Sequence, residues 1–194
     1  MSGGDPMKPA NPDVKLTYDD YVHFPDDGVR HELIDGAHYV TPTPVRKHQA
    51  VSANLLGSMW NYLRENRVGR VFTAPFDVIL SNFDVVDPDL LFLTNERLAE
   101  IATTPWVKGA PSLIVEIGSP STRKRDATIK RRLYERSGVD EYWIVDPELD
   151  AIDVYRLMGG RYLRTAQLTL EAGDVLTTPL LPGLTLPLST IFED

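Results

Sequence analysis

Between Pro44 and Asn66 the apolar positions Val51, Leu55, Met59, Tyr62 and Leu63 recur at intervals of three and four, which predicts one long amphipathic helix able to cover a sheet. Around it the pattern changes to strands. His31 to Val40 reads as a hairpin: Glu-Leu-Ile and Ala-His-Tyr-Val flank Asp35-Gly36, a pair suited to a type I′ turn. Val71 to Leu80, Asp89 to Leu93 and Ser112 to Ile117 are rich in Val, Ile, Leu and Phe, and Pro, Gly or Asn bounds each. These predict successive strands.

Ser121 or Thr122 can cap a second helix that runs to about Ser137 and closes at Gly138, before a strand from Glu141 to Val145. Strand, helix and strand make a crossover unit, so the fold class is α/β with a mixed sheet flanked by helices. Ala151 to Leu157 and Tyr162 to Leu168 flank Gly159-Gly160 as a terminal hairpin, and the Pro-rich tail after Leu176 adds short strands. At the other end, residues 1–15 predict a flexible lead. Thr17 then caps a short helix through Tyr18, Tyr21 and Val22. Residues 16–194 are expected to form a single domain.

Composition narrows the chemistry. The 194 residues are 42% hydrophobic and 25% charged, as in ordinary soluble globular proteins. There is no cysteine, so thiol catalysis and thiolate metal sites are excluded, and any metal must sit on oxygen or imidazole. No segment reads as a signal peptide or a membrane span, which makes cytoplasmic residence the expectation. The net charge of -8 argues against broad adhesion to a polyanion. That charge is uneven, however: Ser121 to Arg136 holds Arg123, Lys124, Arg125, Lys130, Arg131, Arg132 and Arg136 against Asp126 and Glu135, a local balance of +5. The stretch is either a solvated helix face or a nucleic-acid contact.

Three carboxylates fall inside predicted strands: Glu32, Asp89 after Pro88, and Glu116 within Leu-Ile-Val-Glu-Ile. An unpaired ionised group among branched aliphatics costs several kcal/mol, so each needs a partner, a metal or a raised pKa. Lys130, on the helix that follows the Glu116 strand, is the nearest cation in sequence, and Asp126 shares its face at i, i+4. Glu116 alone fits either a functional group or a buried structural salt bridge. His48 reads as a core or capping histidine, and Tyr134, Tyr142 and Trp143 as core aromatics. Phosphate-binding Gly-rich loops, His-Glu-x-x-His and Gly-x-Ser-x-Gly are absent from the sequence.

Pro88-Asp89, Glu116 in an apolar strand and a following lysine resemble the PD-(D/E)XK nuclease superfamily. The likeness widens to Glu32-Leu33-Ile34-Asp35-Gly36, His48-Gln49, Pro88-Asp89-Leu90, Glu116-Ile117, Ser119-Pro120-Ser121-Thr122, Asp126, Lys130, Tyr134, Gly138-Val139 and Glu141-Tyr142-Trp143. Together these resemble a bacterial branch designated "putative restriction endonucleases". The resemblance implies a restriction-endonuclease-like core, here with extra N-terminal and C-terminal hairpins, and Mg²⁺-dependent hydrolysis of DNA phosphodiester bonds, Mn²⁺ being a substitute. It implies Asp89 and Glu116 as metal ligands, Lys130 as the cation that polarises water or stabilises phosphorane charge, Glu32 as an upstream acid, and a homodimer. The lysine usual two residues after Glu116 is replaced by Gly118, so Lys130 must substitute from the helix. The same departure suits an inactivated nuclease fold used for binding nucleic acid or protein.

Overall fold

The structure, a computed structural model, describes residues 14–41, 43–101, 106–118 and 125–193. Most of the expected N-terminal lead and both expected helix caps, Ser121 and Thr122, lie outside the described residues.

Helix α1 (Tyr18–Tyr21) begins at Thr17, whose N–H is taken by the Asp20 carboxylate at 2.8 Å. Strands β1 (Arg30–Ile34) and β2 (Ala37–Thr41) form the expected hairpin, and Asp35 and Gly36 have the positive φ values, 52° and 75°, that a type I′ turn requires. Helix α2 (Arg46–Glu65) follows, burying His48, Val51, Leu55 and Met59 along one stripe. The strand expected over Val71 to Leu80 is two: β3 (Gly69–Thr73) and β4 (Val78–Ser81) belong to different sheets. Pro75 lies between them and lacks the N–H that a continuous strand would need. A further strand, β5 (Asp84–Val86), was not foreseen. Then come β6 (Leu90–Thr94), α3 (Asn95–Ile101), β7 (Val107–Lys108) and β8 (Leu113–Ile117). A π-helical turn over Asp126–Lys130 runs into α4 (Arg131–Ser137), which Gly138 ends in the left-handed conformation at φ 83°. Strands β9 (Glu141–Asp146), β10 (Ala151–Met158) and β11 (Arg161–Thr169) complete the main elements.

The central mixed sheet has the order β11-β10-β9-β8-β6-β3, with β8 and β9 parallel and the other neighbours antiparallel. The C-terminal hairpin therefore extends this sheet. The N-terminal hairpin instead joins a second sheet, β2-β1-β5-β4-β7. Asp87-Pro88-Asp89 carries the chain from β5 in one sheet to β6 in the other.

Alternation along β8 divides the core. Leu113, Val115 and Ile117 pack with Val51, Leu55 and Met59 of α2, whereas Ile114 packs with Leu133 and Tyr134 of α4. Glu116 shares the parity of Ile114, so its carboxylate is aimed at the α4 side. The fold thereby presents Glu116 to the segment that carries Lys130.

Candidate active site

Glu116 is buried in β8, and Lys130 reaches it from the π turn: Nζ lies 2.9 Å from Glu116 Oε1. The same ammonium lies 2.7 Å from Glu32 Oε1 on β1, so two carboxylates from two sheets share one cation. The lysine is only 2% exposed and is buried among charge, not solvated. The Tyr134 hydroxyl donates to Glu116 Oε1 at 2.6 Å. Glu32 gains three further partners, the Asp87 N–H at 3.2 Å, the Thr41 hydroxyl at 3.4 Å and the Arg125 guanidinium at 3.4 Å, and Arg125 lies over the Tyr39 ring.

Asp89 sits just before β6. The register that pairs Leu90 with Val115 brings it alongside Glu116, and its Oδ2 accepts the Ile117 N–H at 2.8 Å. His48 Nε2 on α2 is 3.2 Å from the same oxygen, and Arg30 Nη1 donates to Oδ1 at 3.0 Å. Arg30, His48 and Asp89 line a cleft of about 380 Å³ with Thr41, Gln49 and Thr73.

Burial and neighbouring charge set the protonation pattern. Burial and the negative charges of Asp126, Glu32 and Asp89 outweigh Lys130 at Glu116, and its carboxyl is pushed up to about 8. Burial acts the same way on Glu32, but Lys130 and Arg125 outweigh it and hold that carboxyl below its ordinary range. Asp89 is also held low, because the His48 hydrogen bond and the Arg30 charge overcome its burial. For Lys130, burial favours the neutral amine, yet Glu116 and Glu32 hold it charged and raise its pKa. Glu32 has two cations, Lys130 and Arg125, whereas Glu116 shares Lys130 and also stands near Asp126 and Asp89, so the uncompensated negative charge falls at Glu116.

The expected residues thus fall into two adjoining groups: Glu32, Glu116 and Lys130 share direct contacts, and Asp89 joins them through the β8 backbone at Ile117. Asp126 is buried beside them on the π turn, a form concentrated at functional sites, in place of the expected α-helical turn. The basic stretch is not a uniformly solvated face: Arg125 pairs with Glu32, Lys130 with Glu32 and Glu116, Arg136 with Asp84, and Arg131 lies over Tyr155. Arg123 and Lys124 lie outside the described residues. Sequence reasoning missed Arg30 and Arg125 and read Tyr134 only as a core aromatic. The period of two on β1 puts Arg30 on the face of Glu32, and Tyr134 stands four residues after Lys130, so both signals were present. The pairing of His48 with Asp89 spans 41 residues and has no local signal.

Carboxylate oxygens are the donors that this site could offer a divalent ion. Among the described residues no group of three or more His, Asp or Glu is arranged as a metal cage. Mg²⁺ uses one or two carboxylates and keeps its water, and Asp89 and the charge-surplus Glu116 supply such hard oxygens. Among the described residues, no helix is long and apolar enough to cross a membrane.

A family model described as "Uma2: Putative restriction endonuclease" matches residues 18–189. A crystal structure from Anabaena variabilis, described as that of a "putative nuclease", is similar with a TM-score of 0.78 at 20% identity, over 91% of this chain and 97% of that one. At that identity the likeness speaks to the fold. No curated protein matches the sequence.

Proposed function

Since the chain belongs to the Uma2 family of "putative restriction endonucleases", we propose that it is a Mg²⁺-dependent endonuclease that hydrolyses DNA phosphodiester bonds, with Mn²⁺ as a substitute ion and a homodimer as the working form. The reading is supported above all by one observation: Glu32, Glu116 and Lys130 leave three separate elements to meet in the interior, with Lys130 Nζ within 2.9 Å of both carboxylates. A merely structural lysine is better placed with its head in water, because burying an ammonium between two acids has a large desolvation penalty.

In this reading Asp89 and Glu116 hold the divalent ion, which when bound supplies an activated water and charge neutralisation at phosphate. Glu32 keeps the Lys130 ammonium charged and oriented toward Glu116. Lys130 stabilises negative charge that develops on the phosphate oxygens, an effect worth roughly 10² to 10³-fold when compared with removing one oxyanion donor. Tyr134 fixes the Glu116 carboxyl, and His48 and the Ile117 N–H fix Asp89. Glu116 can hold a proton near neutral pH.

The test is nicking of supercoiled plasmid with Mg²⁺ or Mn²⁺ by the wild type, Asp89→Ala and Lys130→Ala. Metal-dependent nicking by the wild type alone is the expected result. Equal nicking by all three rejects the site. The second reading, a catalytically inactive module that binds nucleic acid or protein, is favoured by Gly118 at the usual lysine position and by the net charge of -8; nicking by none of the three selects it.

A further inference from the structure

Among the described residues, Arg30 is the guanidinium that links the Asp89 carboxylate to the cleft. It opens β1 and lines the cleft beside His48 and Asp89, and its side chain is 19% exposed. Asp89 divides its oxygens unequally. Oδ2 accepts the Ile117 N–H and lies against His48, whereas the partner of Oδ1 is Arg30 at 3.0 Å. An incoming cation must therefore compete with Arg30 for Oδ1.

A second acceptor stands close by. Asp87 Oδ1 accepts the Phe76 N–H at 2.8 Å, and Oδ2 lies 3.7 Å from Arg30 Nε. The guanidinium also donates from Nη1 to the Asp87 carbonyl at 3.4 Å, so it is anchored at Asp87 even while its end contacts Asp89. The planar fork of arginine can serve two carboxylates at once or close fully on one of them. Arg30 is thus held at 3.0 Å by one acid and at 3.7 Å by its neighbour.

We propose that Arg30 is an exchangeable counter-ion: it neutralises Asp89 in the ion-free protein, and a divalent cation displaces it onto Asp87, where it remains in the cleft as a positive charge for phosphate. This rests on the nuclease reading for the identity of the ion. No bond is made or broken other than the ion pairs. The exchange prevents a bare Asp89 in the empty site, and it ties the appearance of a free guanidinium edge to the arrival of the metal.

The exchange makes opposite predictions for its two partners. Replacing Arg30 by Gln removes the competitor, so Mn²⁺ binds more tightly. Replacing Asp87 by Asn removes the alternative seat, Arg30 stays on Asp89, and Mn²⁺ binds more weakly. Both changes are expected on the order of tenfold, the lower end of the effect of outer-shell partners on metal affinity. A through-space charge effect has the same two signs, so the double variant decides between the two. In the exchange Asp87 acts only through Arg30, and Asp87→Asn must then have no effect in the Arg30→Gln background. Simple charge effects add.

The experiment is Mn²⁺ titration calorimetry on the full chain, at fixed salt, for the wild type, Arg30→Gln, Asp87→Asn and the double variant, with circular dichroism confirming that each is folded. Tighter binding by Arg30→Gln, weaker binding by Asp87→Asn and a double variant equal to Arg30→Gln support the exchange. Unchanged or weaker binding by Arg30→Gln overturns it while wild-type binding leaves the nuclease reading standing, as does equal weakening by Asp87→Asn in both backgrounds. Absence of Mn²⁺ binding in the wild type and all three variants removes the nuclease reading and the exchange together.

Discussion

Two glutamates buried in neighbouring parallel strands, Glu116 in β8 and Glu141 in β9, are satisfied in different ways. Glu141 accepts the Trp143 indole N–H at 2.6 Å on one oxygen, and Arg156 at 2.8 Å and Thr178 at 3.1 Å on the other. It has an arginine of its own, and no second carboxylate is paired with that arginine among the described ion pairs. Glu116 shares its cation with Glu32 and stands near Asp126 and Asp89. Equal burial therefore says little about role. What separates the two glutamates is the match between charge and counter-charge: Glu141 has a cation of its own, and Glu116 shares one.

The comparison breaks most sharply at the cations. Lys130→Ala strips both Glu32 and Glu116 of their shared ammonium, and breaking a buried pair by removing one partner costs about 3–5 kcal/mol. Arg156 is half-buried at 32% side-chain exposure, so water can take its place beside Glu141. Arg156→Ala is expected to cost about 1–3 kcal/mol, the range for a hydrogen-bonded group left unsatisfied. Urea unfolding at pH 7 measures both; an equal loss would mean that the Glu116 cluster is no more overloaded than the Glu141 one. Plasmid nicking should fall roughly 10² to 10³-fold for Lys130→Ala and stay near wild type for Arg156→Ala.

Next in size is the response to divalent ions. A ligand present at about 100 times its Kd stabilises by about 2.7 kcal/mol, which for a chain of this size is roughly 5–10 °C in Tm. The wild type and Glu141→Gln should both show that Mg²⁺-induced rise. Glu116→Gln should lose most of it. A rise that survives Glu116→Gln and vanishes in Glu141→Gln would place the ion at the wrong glutamate.

The contrast between the glutamates also marks what a single sequence discloses. The α2 stripe, the β1–β2 hairpin with its Asp35-Gly36 turn and the β10–β11 hairpin were legible because local period and turn chemistry determine them. The split at Pro75 and the short β5 were not, since strands of three or four residues carry too little pattern, and their sheet membership is set by distant partners. Within the site, the resemblance to the nuclease superfamily pointed to Glu32, Asp89, Glu116 and Lys130, while the aliphatic frame of β8 independently marked Glu116. Their burial by sharing one ammonium was beyond it. Glu141 is equally buried at the start of β9, and composition alone could not tell which of the two has a private arginine.

A smaller effect follows from protonation. The Glu116 carboxyl is raised from the ordinary 4.5 to about 8, so across that window the folded protein binds more protons than the unfolded chain. Stability contributed by this group is therefore present at low pH and falls as pH rises toward 8. Glu32 and Asp89 are held low and act in the opposite sense, adding stability that is lost only as pH drops below the usual carboxylate range. Glu116→Gln imitates the protonated form: it should match the wild type near pH 5 and exceed it above pH 8. Chemical denaturation from pH 5 to pH 9 checks this, and parallel curves for the two proteins would show that Glu116 is ionised throughout.

The smallest expected effect turns one glutamate into the other. Gly118 directly follows β8 and stands two residues beyond Glu116, so where the backbone stays extended a lysine at position 118 is delivered to the side of Glu116. Among the described residues, a Cβ added at Gly118 meets nothing closer than the Val145 carbonyl at 3.4 Å, an ordinary contact, and the backbone there is not in the left-handed region. Gly118→Lys alone is expected to cost about 1 kcal/mol, the central value for point substitutions. It should flatten the pH dependence as Glu116 acquires the one-to-one pairing that Glu141 already has. In a Lys130→Gln background the same substitution should restore part of the lost nicking, because the ammonium reaches Glu116 from the strand in place of the helix. If the double variant stays as inactive as Lys130→Gln while both fold, the role of Lys130 depends on its link to Glu32 and not on charge beside Glu116 alone.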